Sequence, residues 1–169
     1  MYQNIWIENF RGLRRLSVGD LRRLNLFVGP NNVGKTSVLE ALWILQNPGN
    51  PALILGLDLL RGFNAQAQAQ APHLTWPTLF NDLDLSLQIR VGGVRSDGTS
   101  ESLTISHANE WPEDAEVTSN GTSPAANFPM VNLSGVTPET LYYDYQRDDL
   151  PVMRSSFSIG LGRIGVSPK

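Results

Sequence analysis

The octapeptide Gly29-Pro30-Asn31-Asn32-Val33-Gly34-Lys35-Thr36 fits the pattern G-x-x-x-x-G-K-[ST] at every position and directly follows the apolar run Leu24-Asn25-Leu26-Phe27-Val28. No other feature constrains the fold as much. The pattern works as a loop between a strand and a helix, where glycines let the backbone close around an anion and successive N–H groups point at it. Residues 36–46 supply the helix, because Val38, Leu39, Leu42, Trp43 and Leu45 recur at helical spacing before Pro48-Gly49-Asn50 stops the run. Lys35 is therefore the catalytic candidate, long enough to reach β and γ phosphates, and Thr36 is the metal candidate, a hydroxyl ligand for Mg²⁺. The bland alternative is a glycine-rich turn with a solvated lysine. The strand and helix signals on either side weigh against it.

With 169 residues and 41% hydrophobic content the chain suits one ordinary globular domain. It has no cysteine, and its two histidines, His73 and His107, are far apart in sequence, so a metal is expected to be Mg²⁺ on oxygen ligands rather than zinc. Neither a signal peptide nor a run of about 18 apolar residues is present, which predicts a cytoplasmic chain without a membrane partner. The net charge of -3 argues against general coating of DNA. Charge is uneven, however. Arg11, Arg14, Arg15, Arg22, Arg23 and Lys35 cluster in sequence around the loop, either as solvated turn residues or as contacts to nucleotide or nucleic-acid phosphate.

The pattern predicts strands at residues 5–10, 16–18 and 24–28, so two strands precede the one that feeds the loop. A plain GTPase reaches its loop after the first strand. Asn50 and Pro51 predict a second short helix through Leu53, Ile54, Leu57 and Leu60 to Gly62. The stretch Leu53-Ile54-Leu55-Gly56-Leu57-Asp58 imitates a Walker B strand, but its proline start and glycine end describe a helix. The Ala and Gln alternation at 65–71 reads as a linker. Alternation from Leu83 to Val91 predicts a strand, Gly92-Gly93 and Ser96-Asp97-Gly98 predict turns, and Leu103, Ile105 and His107 predict the next strand of an antiparallel sheet. Residues 108–127 read as a surface loop, and 128–133 and 141–145 as further strands. Tyr142, Tyr143 and Tyr145 read as sheet packing rather than base stacking.

Three short matches carry little weight. Gly160-Leu161-Gly162-Arg163-Ile164-Gly165 fits G-x-G-x-x-G, but no acid follows at the needed distance. Leu133-Ser134-Gly135 imitates the start of an ABC-type signature, but Val136 and Pro138 break it. Asp148-Asp149 has no histidine that would suggest a hydrolase centre.

Ile7-Glu8-Asn9-Phe10-Arg11-Gly12, together with Leu24 to Leu42 through the loop, closely resembles the N-terminus of the SMC, RecF and OLD group of ABC-type ATPases, and most of all the OLD-like branch. The likeness is specific over residues 4–46 and architectural beyond. It implies an α/β (α+β) P-loop NTPase, an ABC-type head lobe I with an antiparallel β subdomain. The expected division is a P-loop core at 1–62, a linker at 63–79, a β subdomain at 80–150 and a flexible tail at 151–169. The resemblance also implies that Gly29, Asn32, Gly34, Lys35, Thr36 and Ser37 hold ATP phosphates, with Asn31 and Val33 in the same loop, Thr36 on Mg²⁺ and Arg11 beside the nucleotide.

Implied partners are ATP, a second ATPase head in a homodimer or larger assembly, DNA, and a nuclease or other effector. Implied roles are DNA repair, DNA processing or defence against phage. The chain departs from the group in lacking a convincing signature helix, Walker B strand and switch histidine. It reads as the first lobe of a longer ATPase, expected to bind nucleotide better than it cleaves it. A nucleotide-gated regulatory module that never hydrolyses ATP is the alternative. A P-loop kinase or GTPase fits less well, since no Asn-Lys-x-Asp motif is present.

Overall fold

The computed structural model of the chain describes residues 1–62, 76–109 and 139–159. Strands β1 (Tyr2–Phe10) and β2 (Leu13–Val18) form a hairpin, followed by helices α1 (Lys35–Gln46) and α2 (Leu53–Leu60). Two 3₁₀ turns, Trp76–Leu79 and Asn81–Leu83, lead into β3 (Ile89–Arg95), β4 (Ser100–Ala108), β5 (Glu139–Arg147) and β6 (Met153–Ile159). All six strands join one antiparallel sheet in the order β2-β1-β3-β4-β5-β6. The loop-bearing segment and the expected β subdomain therefore share a sheet, through the pairing of β1 with β3.

Alternation along the strands sends one set of side chains to the helices and the other to the opposite face. Register aligns Ile7, Val91 and Leu103 across β1, β3 and β4, and Ile89, Ile105 and Tyr143 across β3, β4 and β5, and all six are buried. Helix α1 lays Val38, Ala41, Ile44 and Leu45 on that face, and α2 adds Ile54 and Leu57. Trp76, Leu79 and Phe80 complete the core, with the Trp76 ring edge-on to Phe157 at 5.8 Å. The result is a two-layer α+β arrangement in which each layer buries its apolar side against the other.

Several sequence expectations are corrected. Residues 24–28 pair with none of the described strands, and Leu24, Leu26 and Val28 are 89%, 83% and 78% exposed. Alternation at 83–91 yields a strand only from Ile89. Before it, Asp82 and Leu83 have φ of 54° and 60°, and the Asp84 carboxylate accepts bonds from the Ser86 amide and hydroxyl at 2.9 and 2.6 Å. That local Asx turn satisfies backbone that a ladder would otherwise use.

Gly92 and Gly93 lie inside β3 instead of in a turn. A Cβ on Gly92 would stand 2.3 Å from Trp6 Cζ2, and one on Gly93 would stand 2.8 Å from Tyr2 Cδ1, so these glycines make room for rings crossing from β1. Of the expected tail, residues 153–159 form β6. Expected features at 65–71, 110–138 and 160–169, with His73, lie outside the described residues. Helix α2 appears as expected, which removes Asp58 from any Walker B strand.

Candidate phosphate site at the start of α1

Residues 29–33 are exposed and lead into α1 through Gly34, which adopts the left-handed conformation at φ 92°. A side chain there would be strained by that φ, and its Cβ would stand 2.7 Å from Leu13 Cδ2 on β2. Asn32 is also left-handed, at φ 65°, a conformation that asparagine tolerates better than most residues. The helix then begins with Val38 N–H donating to Gly34 O at 3.0 Å. No side chain caps this end and its first turn holds no acid. The amides of the first turn and the positive end of the helix dipole thus face the loop, an arrangement suited to an anion.

Lys35 Nζ donates to the carbonyls of Gly29 at 2.9 Å and Pro30 at 2.6 Å, so the lysine folds back and ties the loop across its mouth. Thr36 is exposed in the first turn, and Ser37 is buried one residue further. The structure brings Gly29, Asn31, Asn32, Val33, Gly34, Lys35, Thr36 and Ser37 together in one contiguous loop and helix start. Lys35 and Thr36 supply the cation and hydroxyl that a phosphate and its Mg²⁺ would need.

Arg11 stands apart from this group. It has φ 52° in the β1–β2 turn, its amide donates to Leu79 O at 2.7 Å, and its carbonyl accepts from Asn81 Nδ2 at 2.9 Å. Its side chain is 6% exposed and pairs with two carboxylates, Asp58 Oδ1 at 2.8 Å from Nη2 and Glu40 Oε2 at 2.8 Å from Nε. Burial pushes the Asp58 carboxyl above its ordinary range, while the hydrogen bond from Arg11 pulls it down. A second arginine, Arg61, grips the same Glu40 from the end of α2, with Nε to Oε1 at 2.7 Å and Nη2 to Oε2 at 2.9 Å. Its Nη2 also lies 3.3 Å from Ser37 Oγ. Two arginines and two acids thus join the β1–β2 turn, α1 and α2.

Sequence reasoning singled out neither Glu40 nor Arg61, and it weighed Asp58 only as a false Walker B acid. The signal was present. Glu40 lies on the buried face of α1 between Ser37 and Ala41, and Asp58 lies in an almost wholly apolar helix. A buried acid requires a cation.

Residues 1–109 match the AAA ATPase domain family. The chain belongs to that family. Curated relatives include a DNA replication and repair protein RecF of Chloroflexus aurantiacus, 33% identical over 92 residues that cover 54% of this chain and 22% of the relative. An uncharacterised protein of Methanocaldococcus jannaschii is 48% identical over 42 residues, 25% of this chain and 19% of that protein. An ATP/GTP phosphatase of Helicobacter pylori is 38% identical over 45 residues, 27% of this chain and 12% of that protein. This AAA ATPase domain chain thus spans about a fifth or less of the length of these relatives. No solved structure gives a significant match. Among the described residues of the AAA ATPase domain chain, no helix is long and apolar enough to cross a membrane.

Proposed function

We propose that residues 29–37 bind the phosphates of Mg²⁺-ATP, and that the chain is the N-terminal nucleotide-binding lobe of an ABC-type ATPase of the OLD, RecF and SMC kind. The observation that carries this reading is Lys35 folded onto Gly29 and Pro30 at the open, uncapped start of α1. The ammonium is held by two carbonyls. A β or γ phosphate offers it stronger, charged acceptors without moving the helix. The amides of Gly34, Lys35, Thr36 and Ser37 take the remaining phosphate oxygens, with Gly29, Asn31, Asn32 and Val33 shaping the loop around them. Thr36, exposed and one residue after the lysine, fits one ligand position of Mg²⁺, which would neutralise phosphate charge.

Arg11, which the family resemblance sets beside the nucleotide, is bound to Glu40 and Asp58 and would have to leave both to touch a phosphate. In this proposal it holds α1 to α2 through Glu40 and Asp58. The proposed role in the complete ATPase is DNA repair, DNA processing or anti-phage defence, with DNA, a second ATPase head and a nuclease or effector as partners. The exposed Arg14, Arg22 and Arg23 suit nucleic-acid phosphate.

A second reading, binding without hydrolysis, also has support. Glu40 pairs with both arginines and Asp58 with Arg11, and with side chains 7% and 0% exposed neither carboxylate stands at the surface where it could orient water. The test is Mg²⁺-ATP binding by calorimetry, with phosphate release, for the chain and for Lys35→Ala. Expected are binding by the parent, at least a tenfold loss in Lys35→Ala, and little turnover in either. Equal affinity in both would overturn the phosphate-site reading.

A further inference from the structure

Of the two arginines on Glu40, Arg61 is the one that reaches the first turn of α1, through Ser37. Arg11 is enclosed and has a carboxylate on each side. Arg61 is one-third exposed, pairs with a single carboxylate, and shares Nη2 between Glu40 Oε2 at 2.9 Å and Ser37 Oγ at 3.3 Å. Ser37 is the third residue of α1, so its amide is among the orphan donors of the first turn. The side chain nearest that amide is therefore fixed by Arg61, and Arg61 is fixed by Glu40. The bond to Ser37 is long enough to be exchanged for a better acceptor.

We propose that Arg61 is a positioning residue for the phosphate site: through Ser37 and Glu40 it presets the first turn of α1, and its charge favours the phosphate groups of a nucleoside triphosphate held there. This inference rests on the phosphate-site reading. The planar fork explains the need for arginine, because Nε and Nη2 together span both oxygens of Glu40 and leave Nη2 able to reach the serine. A lysine keeps the charge and loses the two-point grip. Arg61 is also the residue on which α2 ends, its amide donating to Leu57 O and Asp58 O at 3.3 and 3.0 Å, so nucleotide occupancy becomes linked to the position of α2.

The experiment is a double-mutant cycle on Mg²⁺-ATP affinity with Ser37→Ala, Arg61→Ala and the double variant, run beside Arg61→Lys and Lys35→Ala, with thermal melts of each unliganded chain. Arg61→Ala is expected to weaken affinity about tenfold, the loss of one charged hydrogen-bonded contact. Arg61→Lys should recover part of that loss. In the Ser37→Ala background, removing Arg61 should cost clearly less than in the parent. Should Arg61→Ala not fold, the cycle is completed with Arg61→Lys. Parent-like affinity in the folded Arg61 variants, or purely additive losses, would overturn the inference while Lys35→Ala still showed a phosphate site. Failure of the parent to bind ATP would remove the phosphate-site reading and this inference with it.

Discussion

Single buried polar residues decide how this chain responds to its surroundings, and His107 gives the simplest case. It stands opposite Leu141 in the β4–β5 pairing, with Nε2 buried and 4.0 Å from Glu139 Oε2. Burial lowers its pKa from the ordinary 6.5, because the enclosed site disfavours the charged ring. Between pH 6.5 and the lowered folded value, the unfolded chain binds the proton and the folded chain does not. Stability present above pH 6.5 is therefore lost as pH falls, with a slope of at most about 1.4 kcal/mol per pH unit for one proton. Urea melts at pH 7.5 and 5.5 check this. His107→Gln should show a smaller fall between the two values than the parent, and an unchanged fall would show that His107 titrates normally in the fold. The Arg11, Glu40, Asp58 and Arg61 group differs because each acid is matched by a cation, and removing one partner strands a buried charge.

Secondary structure was legible wherever one element's pattern reflects its own packing. Helix α1, β1, β4 and β5 follow from spacing, although of the five positions that marked α1 only Val38 and Leu45 are in the core, Leu42 packs at its edge, and Leu39 and Trp43 are exposed. The loop and helix start that carry the proposed phosphate site come from one continuous motif, Gly29 to Thr36. What could not be read depended on a second segment. Alternation at Leu83, Leu85 and Leu87 resembles a strand, but the Asp84–Ser86 turn holds that backbone. The double glycine of β3 resembles a turn because the rings of Tyr2 and Trp6, which require it, come from β1. Gly92→Ala tests this point directly. Its Cβ would meet Trp6 Cζ2 at 2.3 Å and the Glu101 carbonyl at 2.8 Å, so a loss of about 1–3 kcal/mol is expected in chemical unfolding. Trp6→Ala in the same chain should recover only part, because the carbonyl remains. A Gly92→Ala variant as stable as the parent would mean that these strands separate easily.

Across the whole molecule, the strand that sequence places before the loop stays without a ladder among the described residues, and this is the largest difference between pattern and fold. The run from Leu24 to Val28 has the right alternation, but a strand requires a neighbour, and β2 and β6 end the sheet without pairing to it. Leu24, Leu26 and Val28 consequently face solvent with their backbone uncovered, an edge prone to association. In the proposed longer ATPase the remaining sheet would cover them. Within this chain they should contribute almost nothing to stability. Leu26→Ser is therefore expected to unfold within about 0.5 kcal/mol of the parent, as surface substitutions do. The same change should reduce concentration-dependent association in sedimentation velocity, because it interrupts the apolar edge at its centre. A loss well above 1 kcal/mol would show that Leu26 is packed inside this chain, and the need for a covering sheet from elsewhere would disappear.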